Sequence, residues 1–109
     1  MKRIHIAITT HDLVSTVQDY SARLGIQPCI NVQLGYALRR TEIFNFSVRH
    51  DLTCDPEELR HMSCEDETAE ASTSKTDCNG ILWERFTAHH QGTEINQIWP
   101  HAQYVPDKV

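Results

Sequence analysis

The sequence predicts an α+β domain, on three observations. Short stretches of period-two alternation recur along the chain, one stretch near the start has helical spacing, and turn residues mark the junctions between them. The 109 residues suit one domain, and 39% hydrophobic with 23% charged residues is the composition of a folded chain. A domain of this size buries roughly two thirds of its unfolded surface, enough for a core without metal or disulfide staples.

The elements follow in order. Ile4, Ile6 and Ile8 alternate with Arg3, His5, Ala7 and Thr9, which predicts a half-buried strand with His5 and Ala7 on the face opposite the isoleucines. Thr10 or Asp12 can accept from the free N–H groups of a following turn, so either suits an N-cap. Leu13, Val14, Val17, Tyr20 and Leu24 then give an amphipathic helix, which Gly25 closes in the left-handed region. A weak strand at 29–33 precedes two firmer ones at 36–40 and 43–49. In the last, Phe44, Phe46 and Val48 alternate with Asn45, Ser47 and Arg49.

Residues 50–57 read as a loop and 59–64 as a strand. The stretch 65–77 is acidic and Ser/Thr-rich, and its first half suits a short helix. The runs Glu57-Glu58 and Glu65-Asp66-Glu67 read as solvated faces. Asn79-Gly80 predicts a tight turn before a strand at 81–87. The tail, 88–109, is expected to hold a short helix at 93–99 and a loose end. Phe44 and Phe46 are expected to share a core with Trp83 and Phe86.

Charge and cysteine usage exclude several classes. The net charge of −5 argues against general phosphate binding, so no nucleic-acid partner is expected. No apolar run approaches 18 residues, and residues 4–8 are too short for the apolar core of a signal peptide; no membrane partner is expected. Cys29, Cys54, Cys64 and Cys78 contain no C-x-x-C pair and read as free thiols of a cytoplasmic protein. No P-loop, G-x-G-x-x-G or G-x-S-x-G pattern is present.

Three residues stand out for chemistry: His5, His61 and Glu84, each in a predicted strand. Two imidazoles and a carboxylate on one face form a common donor set for a divalent metal, because neutral imidazole offers a lone pair and the carboxylate cancels part of the charge. The stretch IHIAITTHDLVSTVQDYSARLGI, with His5, Asp12-Leu13, Tyr20 and Leu24-Gly25, resembles the opening of the vicinal-oxygen-chelate (glyoxalase/bleomycin-resistance/extradiol dioxygenase) family. LGYALRRTEIFNFSV is similar to the cadmium-inducible and organoarsenical-lyase branch. LRHMSCED resembles the start of that family's second module. TDCNGILWERF resembles its D-P-D-G-N-x-W-E-x-Y segment, whose Glu is a metal ligand.

The resemblance implies a glyoxalase-like βαβββ module at 1–50, a truncated second module at 58–88 and a tail at 89–109. Only 23 positions separate His61 from Glu84, which implies a second module lacking about one helix and one or two strands. It implies a cupped mixed sheet with helices on the outside. His5, His61 and Glu84 would be ligands to Fe(II), Ni(II) or Zn(II), with Glu84 also the catalytic carboxylate and Tyr36 and Asn45 facing the substrate. The expected activity is that of a small metal-dependent lyase or dioxygenase acting on an oxygen-chelating substrate. The alternatives are a metal-free protein that sequesters small molecules as a homodimer, and a domain whose role is association alone.

Overall fold

Alternation decides which face of the first strand is covered, and it is the polar one. Along β1 (Lys2–Thr10), Arg3, His5, Ala7 and Thr9 are buried, while Ile4 is 46% exposed. The computed structural model describes residues 2–55 and 59–106. Among them β1 is joined by β2 (Ile30–Val32), β3 (Tyr36–Arg40), β4 (Phe44–His50), β5 (Leu59–Asp66), β6 (Thr73–Thr76) and β7 (Leu82–Phe86). The two α-helices are α1 (Leu13–Leu24) and α2 (Ala88–Ile98), followed by a short 3-10 turn, Pro100–Ala102. The fold is a mixed α+β one built on a single sheet of order β2-β3-β4-β1-β5-β7-β6.

The centre of the sheet is β1, parallel to β4 and antiparallel to β5, which in turn runs parallel to β7. The first half therefore reads β1-α1-β2-β3-β4. The second half has β5, β6 and β7, with residues 67–72 in place of a helix between β5 and β6. The helix expected early in 65–77 does not form. Glu65 and Asp66 instead end β5, each 3% exposed, so their expected solvation is corrected. Glu57 and Glu58 lie outside the described residues.

The α1 helix forms where the apolar spacing placed it. Asp12 caps it, accepting from the Ser15 N–H at 3.0 Å, a bond worth about 1 kcal/mol. Gly25 ends it at φ 70°, where a side chain would be strained. Leu13 packs on Ala37 and Val48, with Val17, Tyr20 and Phe46 around them. Arg39 lies on the same face, buried, donating to the Val17 carbonyl at 3.0 Å and the Ser21 hydroxyl at 2.7 Å.

The opposite face carries α2. This helix starts at Ala88, five residues before the expected position, because Thr87 and His90 cap it reciprocally: the Thr87 N–H donates to His90 Nδ1, and the His90 N–H to Thr87 Oγ1, both at 3.0 Å. An imidazole stands where Glu or Gln would usually complete such a box. Ile95 packs with Val32, Tyr36, Leu38 and Tyr104, and Trp99 joins that cluster. Asn96 makes two 2.8 Å bonds to the backbone of Tyr104, so the described tail is pinned and not loose. The two helices thus lie on opposite faces of the sheet, not together on an outer one. The expected four-aromatic core is also divided: Phe86 meets the His5 ring edge-on at 5.2 Å, whereas Phe46 lies on the α1 face.

Gly35 shows how tightly the two ends of the chain meet. A Cβ there would stand 2.8 Å from Trp99 Nε1 and 3.3 Å from Val32 Cγ1. Gly35→Ala is therefore expected to cost about 1–3 kcal/mol of stability, as overpacking does. It should also shift the emission of Trp99 when measured in a Trp83→Phe background. Unchanged denaturation and emission would contradict this packing.

Candidate functional site

Cross-strand register assembles the site. Asn45, His5, Ser63 and Glu84 form one row across β4, β1, β5 and β7. Ser47, Ala7 and His61 form the next row. Paired residues share a face of a sheet, so all seven side chains lie on the α2 side.

Glu65, also on that face, determines how the first row is oriented. Arg40 grips its carboxylate with two bonds, Nε to Oε1 at 2.7 Å and Nη2 to Oε2 at 3.0 Å, and Arg3 Nη1 reaches Oε2 at 2.6 Å. Burial pushes Glu65 toward its neutral form, but the Arg40 and Asn45 hydrogen bonds and the two guanidinium charges outweigh it and hold the acid below its ordinary pKa. An ionised carboxylate only accepts, so the Asn45 group 2.9 Å from Oε1 is its amide nitrogen. Asn45 Oδ1 must then face His5 Nδ1, 2.7 Å away. A carbonyl oxygen cannot donate, so His5 carries its proton on Nδ1 and its lone pair on Nε2. Gln91 of α2 closes the network, donating to Asn45 Oδ1 at 3.1 Å and accepting from its Nδ2 at 2.7 Å.

Burial lowers the His5 pKa to about 4 against the Asn45 hydrogen bond, which favours the charged ring; the nearby His61 lowers it further. The imidazole is therefore neutral at pH 7. Its ring centroid lies 5.4 Å from that of His61, and His61 Nε2 lies 3.7 Å from Glu84 Oε2. Glu84, with a side chain 38% exposed, is the most accessible of the three. Arg85, its chain neighbour, pairs with Asp66 on the other face at 2.9 Å. Ser63 Oγ, between His5 and Glu84, is buried with no hydrogen-bond partner among the described residues.

Beside these residues is a cavity of about 110 Å³. His5, His61, Glu84 and Tyr36 all line it. Asn45 does not; it is fully buried behind the wall and acts on the site through His5. The lining side chains that sequence reasoning did not single out for the site include Ser47, Arg49, Gln91 and Trp99. Ser47 and Arg49 alternate with Phe46 and Val48 on the Asn45 side of β4, so the same period-two pattern could have found them. Gln91 and Trp99 come from the tail and had no such signal.

Among the described residues, no group of three His, Cys, Asp or Glu side chains is drawn to metal-holding spacing. The donors are adjacent but not closed around a point. Compared with known proteins, the chain matches no family model and no curated sequence.

Two predictions follow from this wiring. In the metal-free chain His5 has a pKa near 4 when folded and about 6.5 when unfolded, so the unfolded state binds more protons between those values. Stability should therefore fall as pH drops from about 6.5 to about 4, by about 3 kcal/mol in all. His5→Gln should flatten that slope in urea titrations; an equally steep profile would refute the assignment. Glu65→Ala leaves two buried guanidiniums without their acceptor and should cost about 3–5 kcal/mol by the same assay.

Proposed function

We propose that the chain is a shortened member of the vicinal-oxygen-chelate family. In this reading, His5, His61 and Glu84 hold a divalent metal beside a small oxygen-chelating substrate. The observation that carries it is the convergence of these three residues, from three strands, on one cavity. The donor chemistry fits such an ion: a neutral imidazole with its Nε2 lone pair fixed by Asn45, a second imidazole, and a carboxylate 3.7 Å from it. The unpartnered Ser63 hydroxyl in the same row also suits a polar occupant.

A divalent ion in this place would stabilise charge developing on substrate oxygens, which suits lyase or dioxygenase chemistry. The chain's own residues supply the rest. Asn45 and Glu65 fix the His5 tautomer, and Glu84 is the carboxylate placed to accept a proton at the cavity. A homodimer belongs to the same reading, because β2 and β6 end the sheet and all four residues of β6 are exposed.

The second reading, a metal-free binder of small molecules, is favoured by the open spacing of the three donors. Titration of the chelator-treated chain with Zn(II), Ni(II) or Fe(II) under argon separates the two. The metal reading expects close to one ion per chain, lost in His61→Ala. It also expects affinity about 10–100-fold weaker in Asn45→Leu, as for residues that orient a ligand. A chain that takes up none of the three ions leaves the metal-free reading.

A further inference from the structure

The start of α2 is held by a bond that exists in one charge state only. The Thr87 N–H donates to His90 Nδ1 at 3.0 Å, so that nitrogen carries the lone pair and the proton of the ring is on Nε2. In return the His90 N–H donates to Thr87 Oγ1 at 3.0 Å, and the Gln91 N–H to the Thr87 carbonyl at 3.1 Å. A Glu or Gln in this place would keep its acceptor throughout the neutral range. Imidazole differs, because it changes charge between about pH 5 and 8 and has no acceptor once protonated. The imidazolium would also stand at the positive end of the helix.

The turn held in this way belongs to the cavity wall. Gln91 follows His90 directly, and its two bonds with Asn45 join α2 to the buried network. Gln91, Glu94 and Ile95 line the cavity from the same helix. The charged and titratable groups around α2 are engaged elsewhere. On the helix itself His89 is exposed, and Glu94, one turn on, makes no ion pair with His90 among the described residues. On the sheet, Glu65 is bound by Arg3 and Arg40, Arg49 lies over Trp99, His5 bonds to Asn45, and His61 stands beside Glu84. Burial pushes Tyr36, Tyr104 and Cys29 up, so all three stay neutral. His101, on the turn after α2, is exposed.

We infer that His90 is a proton-operated latch on α2. Its neutral ring holds the first turn against the buried network, and a proton taken up at Nδ1 breaks the Thr87 bond and releases that turn, Gln91 with it. The inference concerns the cover of the cavity and stands whether or not a metal binds there.

Hydrogen exchange of the intact, chelator-treated chain tests it, read by NMR as protection factors at about pH 7.5 and about pH 5.5, on either side of the usual imidazole titration. The amides of Thr87, His90 and Gln91 are expected to lose protection at the lower pH. The loss should exceed that in His90→Gln by about 2–30-fold, the factor to which a lost N-cap corresponds. His90→Gln keeps an acceptor that does not titrate, and any pH effect on the whole chain is common to both proteins. His90→Glu, ionised at both pH values and favoured at a helix start, should behave as His90→Gln does. His5→Gln and His61→Gln should retain the response of these three amides. No loss in the original chain, or an equal loss in the original and both His90 variants, would overturn the inference. So would a response abolished by His5→Gln or His61→Gln, which would place the switch on the imidazoles of the sheet.

Discussion

The carboxylate of Glu65 is the interaction on which the rest of the site depends. It is buried between Arg3 and Arg40, which together supply three short bonds to its two oxygens. Those charges keep it ionised, and an ionised acid admits only donors. That constraint orients Asn45, which sets the His5 tautomer, which in turn leaves Nε2 as the acceptor atom of the ring. Gln91 ties the same amide to α2. One buried charge thus fixes a chain of hydrogen bonds from β5 through β4 to β1 and onto the covering helix. The links are cooperative, because each group has lost the freedom to choose a different partner.

The asymmetry of the two halves of the sheet then shapes the cavity. In the first half, α1 covers Ala37 and Val48 on one face. In the second half, residues 67–72 make no corresponding helix, and Ile4 and Leu59 remain 46% and 43% exposed. The chain uses its last helix differently, on the His5 side, where Ile95 fills the space over Tyr36 and Leu38. A helix lying across that side leaves a small, partly open cavity. Gly35 permits this closure, since any side chain there would meet Trp99.

Much of this was legible in the sequence, for identifiable reasons. Period-two alternation placed β1 and β4, and turn residues before them marked β3 and β7, all to within a residue or two, and Asp12 and Gly25 marked the ends of α1. Local signals of this kind depend on near neighbours, so they survive without knowledge of the fold. His5, His61 and Glu84 were found by strand position and by the resemblance, and the register brings them side by side. What escaped was non-local. Glu65-Asp66-Glu67 looks like a solvated acidic run, yet alternation sends Glu65 to one buried face and Asp66 to the other. The partners that make this tolerable are Arg3, Arg40 and Arg85, far away in sequence. The α2 start escaped because His90 completes its cap, a role that composition does not announce. Arg49 escaped because a charged residue near the end of a strand looks the same whether it faces water or a cavity.

The polarity of the covered face is itself an argument for function. Burying Arg3, His5, Arg40, Asn45, Glu65 and Gln91 together is a poor way to stabilise a small domain. Each ion loses several kcal/mol of hydration, roughly, and buried pairs seldom recover more than that. An apolar face on β1 would pack against α2 with less penalty, as Leu38 and Ile95 do one strand pair away. The network adds little stability, but it does add definition: one tautomer of His5, one orientation of Asn45, and one position for α2. Such definition is of use chiefly where the lone pair of His5 points, toward His61, Glu84 and the cavity that Arg49 shares. The stability given up across β1, β4 and β5 and the chemistry gathered beside them are therefore two sides of one arrangement.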